Sequence, residues 1–528
     1  MYKRRLRKRF ERNKSTANSD KNGVEVASVL KPELTNNIAN IKKVIGDSSD
    51  VVIREVQVGD TKEIKAGIIY VSGLVEKTAI QDYILESLMI DTTNMKQNDD
   101  KQNTITTFKA SLLTVGEIND IFDFEALFNH LLSGDTIILL DGQSQGLSAG
   151  TRGWKDRGVT EPTSQDVIRG PKDSFSETLE TNIALVRRRI KDTNLRVETK
   201  KIGRRTKTDV AVMFIKGVAN DKVVKEVRKR LDRIDVDAIL ESGYIEELIQ
   251  DETFTPFPTV YNSERPDVVS ANILEGRIAI LVDGTPFVLT LPALFIQFFQ
   301  SSEDYYQRSE IGTLIRFIRY LAFFLSLVTP SAFIAVTTFH QEMLPTELLI
   351  SLGEQREGVP FPAFVEALMM EITFEILREA GVRMPKAIGS AISIVGALVL
   401  GQAAVEAGIV SAAMVIIVSL TAISSFVMPS YNLAIAFRML RFVLMALAAS
   451  FGLFGIILGL IIMVLHLSSL RSFGVPYLSP LAPFIAADQK DTIFRVPMWG
   501  MTSRPRLISQ KNRRREKTPP TPKPKRSK

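Results

Sequence analysis

Four uncharged, apolar stretches in the second half of the chain restrict its fold more than any other feature. A helix needs about 20 mostly apolar residues to cross the hydrocarbon core of a bilayer, and each stretch is close to that length or longer. They predict an all-α polytopic membrane domain at residues 301–485, with about four transmembrane helices, or five. The predicted spans are residues 321–339, 387–405, 408–428 and 442–467.

Clusters of lysine and arginine at both ends predict the side of the membrane on which the termini lie. Residues 1–14 carry eight basic side chains and one acid, and residues 504–528 carry eleven and one. Four spans put both ends on one side, and the positive-inside rule makes that side the cytoplasm. We therefore predict a disordered basic tail at 1–34 and a basic, Pro-rich cytoplasmic tail at 486–528, with membrane lipid as a partner. No aromatic or recognition-helix pattern accompanies the charge, so nucleic acid is not an expected partner.

Two groups of arginines complicate this arrangement. Arg308, Arg316 and Arg319 alternate with apolar residues before the first span, which is typical of a basic amphipathic helix at the lipid headgroups. Arg438 and Arg441 lie between the third and fourth spans, and four simple spans would put them on the outer side. A re-entrant or split apolar stretch is the open alternative.

The polar first half contains an internal repeat. Residues 69–73 match residues 213–217, and residues 133–142 match residues 275–284. Each copy has two strands, a glycine turn, a helix, a longer connection and a buried strand that ends in Asp-Gly, a pattern that indicates an α/β fold. We predict a soluble N-terminal α/β domain of two duplicated lobes. The lobes are residues 35–150 and 191–300, and the connector between them is 151–190.

Several kinds of chemistry lack the residues they require. The chain has no cysteine and only three histidines, so it has no disulfide, thiolate metal site or thiol nucleophile. Neither a Walker loop nor a GxGxxG motif occurs, and these motifs form phosphate cradles. We expect that the protein is not an enzyme and has no cofactor and no metal.

A ridge of small residues runs along the second predicted span. Residues at every fourth position share one helix face, and small ones let helices approach closely in lipid. Ordinary packing within one chain and packing around an axis shared by several copies both explain the ridge. Two polar residues, Gln402 and Glu406, follow the ridge near the membrane edge. The helix-packing or pore candidates are Gly389, Ser393, Ala397, Gly401, Gln402, Val405 and Glu406.

Three glutamates form a stripe on the helix predicted before the second span. Glu371, Glu375 and Glu379 recur at every fourth residue. In a symmetric oligomer they would form carboxylate rings that concentrate cations at a pore mouth. A solvated outer face is the alternative.

The connector has its own pattern of charge and capping residues. Ser174 and Glu177 match a capping box, which predicts that a helix begins there. Arg187, Arg188 and Arg189 would end the helix, where its dipole favours cations. A basic phosphate-binding patch is the alternative interpretation.

These motifs resemble those of the A subunit of GerA-type spore germination receptors, over roughly residues 35–500. The resemblance implies a location in the spore inner membrane, with the soluble domain and both termini on the spore core side. It also implies a transporter-like B subunit and a lipoprotein C subunit as partners, nutrient binding mainly by B, and self-association as a pentamer. The matching residues are Gly170, Pro171, Glu177, Asn182, Arg187, Arg188 and Arg189, with segments 278–292, 303–306, 355–362, 391–397 and 401–405.

Two functions follow as hypotheses. In the first, the chain is the membrane subunit of a germinant receptor and forms an oligomeric, nutrient-gated ion channel. In the second, it is a non-conducting scaffold or signal relay in the same receptor. An independent solute carrier is weaker, because the spans contain no inverted repeat.

Overall fold

The computed structural model of the protein describes residues 29–58, 64–85, 109, 117–153, 161–162, 165, 167–383 and 401–515. The described chain divides into two compact units. The first takes its residues from 1–158, 178–200 and 210–216, and the second from 159–177, 201–209 and 217–528.

An antiparallel five-stranded sheet forms the centre of the first unit. Its strands are β1 (Val51–Val58), β2 (Ile64–Val71), β3 (Ile118–Ile121), β4 (Thr136–Leu140) and β5 (Gly146–Ala149), in the order β1-β2-β4-β5-β3. The helices of this region are α1 (Leu34–Ile45), the short α2 (Lys77–Ala79), which continues into a π-helical turn at Ile80–Leu85, α3 (Phe124–Leu131) and α4 (Leu179–Arg189). Asp123 starts α3, because its carboxylate accepts a hydrogen bond from the Ala126 N–H at 2.7 Å.

Apolar residues of α1 recur at helical spacing and cover the sheet. This face buries them against α3 and the central strands, so the sheet and both helices share one core. The core includes Leu34, Ile38, Ile41, Ile45, Ile69, Leu127, Leu131 and Ile137.

A second five-stranded sheet has the same strand order as the first. Its strands are β6 (Leu195–Ile202), β7 (Thr208–Ile215), β8 (Tyr261–Ser263), β9 (Ile278–Val282) and β10 (Val288–Leu291), in the order β6-β7-β9-β10-β8. This is the order that a duplicated sequence predicts, since β6 corresponds to β1 and β9 to β4. The helices that follow in sequence are α5 (Asp221–Asp232), α6 (Ser242–Ile249) and α7 (Pro266–Leu274). The N-terminal region is therefore α/β, as expected.

Helices make up most of the following region. They are α8 (Glu303–Tyr306), α9 (Ser309–Thr338), α10 (Thr346–Glu357), α11 (Ala363–Arg383), α12 (Ala412–Phe426) and α13 (Tyr431–Ser469). Among the described residues, α9 and α13 are long and apolar enough to cross a membrane. They contain the first and fourth predicted spans.

The other two predicted spans are not confirmed. The span at 408–428 contains only α12, whose 15 residues are fewer than the roughly 20 that a crossing helix needs. The Ser411 hydroxyl caps its start by accepting from the Met414 N–H, and Pro429 follows its end. Most of the span at 387–405 lies outside the described residues. The prediction of four or five spans therefore exceeds the two long apolar helices that the structure describes.

Aromatic side chains hold these helices to the segment that precedes them. A 3₁₀ turn, Phe295–Phe299, contributes Phe299, whose ring lies 5.5 Å from that of Phe323 on α9. The Phe323 ring in turn lies 4.4 Å from that of Phe437 on α13. The apolar segment before α9 is therefore packed against α9 and α13.

The chain after α13 folds back onto other parts of the second unit. It forms a small hairpin, β11 (Arg471–Ser472) and β12 (Val475–Pro476), and then short 3₁₀ turns at Gln489–Asp491 and Met498–Gly500. Further on, the Ser509 hydroxyl donates to the Val218 carbonyl at 2.9 Å, and Ile508 is buried against Leu294 and Val475. Residues 486–515, which belong to the predicted basic, Pro-rich tail, are thus in contact with folded parts of the chain. Ile508 supplies the apolar burial that a reading of charge alone overlooks.

Candidate functional site

The connector motif, which begins with Gly170 and Pro171, contacts a buried arginine, Arg265. Arg265 donates to the Pro171 carbonyl at 2.9 Å and to the Asp267 carboxylate at 2.8 Å. The Tyr306 hydroxyl donates to the same carboxylate at 2.6 Å. Gly170 has φ +145°, and a Cβ there would lie 2.7 Å from the Tyr306 ring. Only glycine fits at position 170, because any side chain would collide with the Tyr306 ring. The motif residues Gly170 and Pro171 therefore help to pack the connector against Tyr306 and Arg265.

The predicted capping box is wrong. Helix α4 begins at Leu179, and its N-cap residue Thr178 makes no side-chain capping bond. Ser174 instead donates its hydroxyl to the Glu264 carbonyl at 2.9 Å, and the Glu177 carbonyl accepts from the Gly284 N–H at 2.7 Å. The capping pattern did not predict this arrangement, because the tertiary partners of both residues are distant in sequence.

The arginines at the end of α4 separate into different environments. Arg187 is buried and donates to both carboxylate oxygens of Asp50, at 2.6 and 3.0 Å, and to the Ser48 hydroxyl at 2.9 Å. Arg188 is exposed, and Arg189 donates to the Leu185 carbonyl at 3.1 Å. Asn182, earlier on the same helix, is fully buried. Because a bidentate pair occupies Arg187, the three arginines do not form one phosphate-binding patch.

A buried charge network joins the start of α9 to the C-terminal segment. The Asp304 carboxylate accepts from Arg316 at 2.9 Å and from Arg319 at 2.8 Å. Arg316 also donates to Asp491 at 2.9 Å, and the Tyr305 hydroxyl donates to the same carboxylate at 2.8 Å. Arg316 and Arg319 are 1% and 7% exposed, so they do not face lipid headgroups as their amphipathic pattern predicted. The partners that neutralise them lie on α8 and beyond α13, and a helical pattern does not reveal such partners.

Two glutamates of the acidic stripe are paired with the arginines that complicated the predicted topology. Arg441 donates to Glu371 at 2.6 Å, and Arg438 donates to Glu375 at 2.6 Å. The Glu371 and Arg441 side chains are 0% and 1% exposed. Glu379 is exposed and pairs with Arg383 one turn along. The pairs thus connect α11 to α13, and the vestibule role of the stripe stays a prediction.

The small-residue ridge is only partly described. Gly389, Ser393 and Ala397 lie outside the described residues. Gly401 is buried in a helical stretch, and a Cβ there would lie 3.6 Å from the Val415 side chain of α12. The next residues of the candidate set, Gln402, Val405 and Glu406, are partly or fully exposed. The Gln402 amide donates to the Glu406 carboxylate at 3.0 Å. Gly401 therefore faces α12, and the polar pair beside it faces outwards.

An open cleft of about 740 Å³ lies beside the end of α13. Arg230 on its wall donates to Glu226 at 2.9 Å and to Asp251, and its guanidinium lies 4.4 Å from the Phe473 ring centre. This arginine is held by protein carboxylates. The lining is Glu226, Arg230, Asp251, Glu252, His466, Ser469, Leu470, Arg471, Phe473 and Gly474. Within the described ranges, no group of three or more His, Cys, Asp or Glu side chains could hold a metal ion.

Burial shifts the titration of two groups outside the long apolar helices. Burial raises the pKa of Glu246 on α6 to about 7, a change that Glu241 increases and a hydrogen bond with Asn262 opposes. Burial also raises the pKa of Tyr305 well above its ordinary value, and the Asp491 carboxylate adds to this increase. Tyr305 therefore stays a hydrogen-bond donor to Asp491 at neutral pH.

Comparison with known proteins shows extended similarity. Residues 39–507 match the family described as Bacillus/Clostridium GerA spore germination protein. Spore germination protein KA of Bacillus subtilis (strain 168) is 52% identical over 498 residues, which are 94% of this chain and 90% of the relative. The uncharacterized membrane protein YfkQ of the same organism is 47% identical over 485 residues, 92% of this chain and 93% of the relative.

A solved structure is also similar in sequence. It is the crystal structure of the N-terminal domain of the A subunit of the Bacillus megaterium spore germinant receptor GerK3. It is 48% identical and covers 52% of this chain and 100% of its own, with a TM-score of 0.42.

Proposed function

The chain belongs to the GerA family of spore germination proteins, and we propose that it is the A subunit of a receptor that triggers spore germination in response to nutrients. The observation that carries the proposal is the family match over residues 39–507, together with 52% identity to a spore germination protein along 90% of that protein's length. The connector motif lies within the matched region and is built into the fold through Arg265 and Tyr306.

The proposed location is the inner membrane of the spore. Helices α9 and α13 have the length and composition of membrane spans, and a relative with 47% identity is described as a membrane protein. The proposed arrangement has four spans, or five, with the α/β region and both termini on the core side. The strongly basic termini support that orientation, because cytoplasmic flanks of membrane proteins are enriched in lysine and arginine.

The proposed partners are a transporter-like B subunit, a lipoprotein C subunit and further copies of the chain. The resemblance of the connector and membrane motifs to those of receptor A subunits supports this assembly, and a pentamer is the stoichiometry that it implies. Nutrient binding would then belong mainly to the B subunit.

Within this receptor, we propose that the chain forms an oligomeric, nutrient-gated ion channel. Close helix packing at Gly401 and the outward-facing pair Gln402 and Glu406 support a pore-side role for this stretch. Nutrient binding to a partner would open the channel by stabilising the open state more than the closed one.

A specific observation favours the alternative, a non-conducting scaffold or signal relay. Arg441 and Arg438 neutralise Glu371 and Glu375, so two of the three carboxylates proposed for the pore mouth are already paired. Such pairs connect helices and would transmit a movement of α11 to α13 without conducting ions.

Deletion of the gene from the spore former that carries it tests the receptor role. We expect the deletion spores to lose release of dipicolinic acid in response to at least one amino acid, sugar or nucleoside, and the restored gene to recover it. Unchanged responses to the whole nutrient panel, in spores where the wild-type chain is normally present, would contradict the proposal.

Enlarging Gly401 tests the channel role. Gly401→Leu should block nutrient-induced cation release while the level of the assembled receptor stays normal, because the larger side chain meets α12. Gly353→Leu is the matched control, since a Cβ there has no neighbour within 4 Å. Normal cation release from Gly401→Leu spores would favour the scaffold role.

A further inference from the structure

The segment that follows the β11–β12 hairpin exposes large apolar side chains. Phe484 and Phe494 are 73% and 64% exposed, and Met498 and Trp499 are about half exposed. We call these four residues the aromatic collar. Exposed apolar groups of this size, clustered within 16 residues of sequence, are typical of a surface that contacts a membrane or another protein.

The aromatic collar is fixed beside the start of α9. The Arg495 N–H, next to Phe494, donates to the Thr313 hydroxyl at 3.1 Å. The buried Arg316 holds Asp491 at 2.9 Å, three residues before Phe494. These bonds anchor the segment at the level of the first two turns of α9.

Helix α9 presents an exposed apolar face at that same level. Ile311, Leu314 and Ile318 recur at helical spacing on it, and each is about half exposed. The face continues without a break into the first predicted span through Leu321 and Phe324, which are also about half exposed. The aromatic collar thus lies where the proposed lipid-facing surface of α9 ends.

The charges next to the aromatic collar suit an anionic lipid surface. Arg506, Arg513 and Arg514 follow it in sequence and are exposed. Basic residues close to a membrane are attracted to anionic headgroups, and tryptophan and other aromatic residues are enriched at this depth.

We propose that the aromatic collar inserts into the headgroup layer of the membrane that α9 crosses. The segment after α13 then acts as an interfacial anchor that clamps the base of α9 through Arg316 and Asp491. The inference rests on the proposed membrane location and goes beyond it, since a membrane location does not by itself require this segment to enter the lipid. Lipid is the chosen occupant because the surface is continuous with the apolar face of α9.

Tryptophan fluorescence tests the proposal, because Trp154 and Trp499 are the two tryptophans of the chain. The full-length Trp154→Phe variant is placed in phosphatidylglycerol and phosphatidylethanolamine vesicles whose acyl chains carry bromine at shallow or deep carbons. We expect shallow bromine to quench Trp499 at least twofold more than deep bromine, and aqueous iodide to quench it little.

Two reference variants calibrate depth in a background without either native tryptophan. Phe454→Trp lies on the exposed face of α13 and should be quenched best by deep bromine, and Phe122→Trp, exposed before α3, only by iodide. If Phe454→Trp is quenched by lipid while Trp499 responds only to iodide, the anchor is refuted and the membrane location stands. Trp499 shielded from both quenchers would indicate contact with protein, such as a second copy, and would also refute it. A Phe454→Trp variant that lipid does not quench would refute both proposals.

Discussion

Removal of Arg441 should destabilise the helical region strongly, because it leaves the Glu371 carboxylate buried without its partner. The two side chains are 1% and 0% exposed, and Arg441 lies 2.6 Å from Glu371 Oε2. The second carboxylate oxygen, Oε1, has no hydrogen-bond partner among the described residues. Breaking a buried pair on one side costs about 3 to 5 kcal/mol, whereas replacing both members with apolar residues is close to neutral. We therefore expect Arg441→Met to lower the free energy of unfolding by about 3 kcal/mol.

A double-mutant cycle separates the pair from its surroundings. Each single substitution should cost about 3 kcal/mol, whereas Glu371→Leu combined with Arg441→Met should recover to within about 1 kcal/mol of the wild type, a coupling of roughly 5 kcal/mol. The exposed pair gives the matched control, since Glu379→Gln should change stability by less than about 0.5 kcal/mol. The assay is unfolding of the detergent-solubilised chain, followed by helical circular dichroism. Additive single-variant losses, without recovery in the double variant, would refute the assigned pairing.

Two further predictions concern the α/β region and the connector. Glu246 has a pKa of about 7 in the folded protein, above its ordinary value, so its contribution to stability is fully present below about pH 4.5 and is lost as the pH rises through 7. Glu246→Gln should abolish this loss of roughly 3 kcal/mol. The loss is measured as hydrogen exchange of the α6 amides, corrected for intrinsic exchange rates, and an unchanged pH profile would contradict the assignment. Gly170→Ala should destabilise the full chain by about 1 to 3 kcal/mol more than Gly217→Ala, because a Cβ meets the Tyr306 ring only at the first position. Equal losses of thermal stability would count against that contact.

Periodicity and run length predict the elements that depend on local sequence. The repeated pattern ending in Asp-Gly indicated an α/β region, and both sheets have the same strand order. The uncharged runs at 321–339 and 442–467 indicated long helices. Helix α9 contains the first run as far as Thr338, and α13, whose backbone is non-helical at Gly452, contains the second. These predictions succeed because burial on one face, or on all faces, is visible within a single element.

Predictions that depended on distant partners were less successful. Arg316 and Arg319 resembled headgroup-facing residues, but Asp304 and Asp491 neutralise them in the interior. The spacing of Asp304 ahead of Arg316 was a usable signal, whereas the position of Asp491 becomes clear only from the fold. In the third predicted span, the cap at Ser411 sets the start of α12, so the helix is shorter than the uncharged run.

Electrical recording from the assembled receptor tests the central claim most directly. We expect nutrient-evoked cation currents in bilayers that contain the chain with its B and C partners, and loss of those currents with Gly401→Leu at unchanged nutrient binding. Nutrient binding without any current, or currents that persist when the chain is left out, would contradict it.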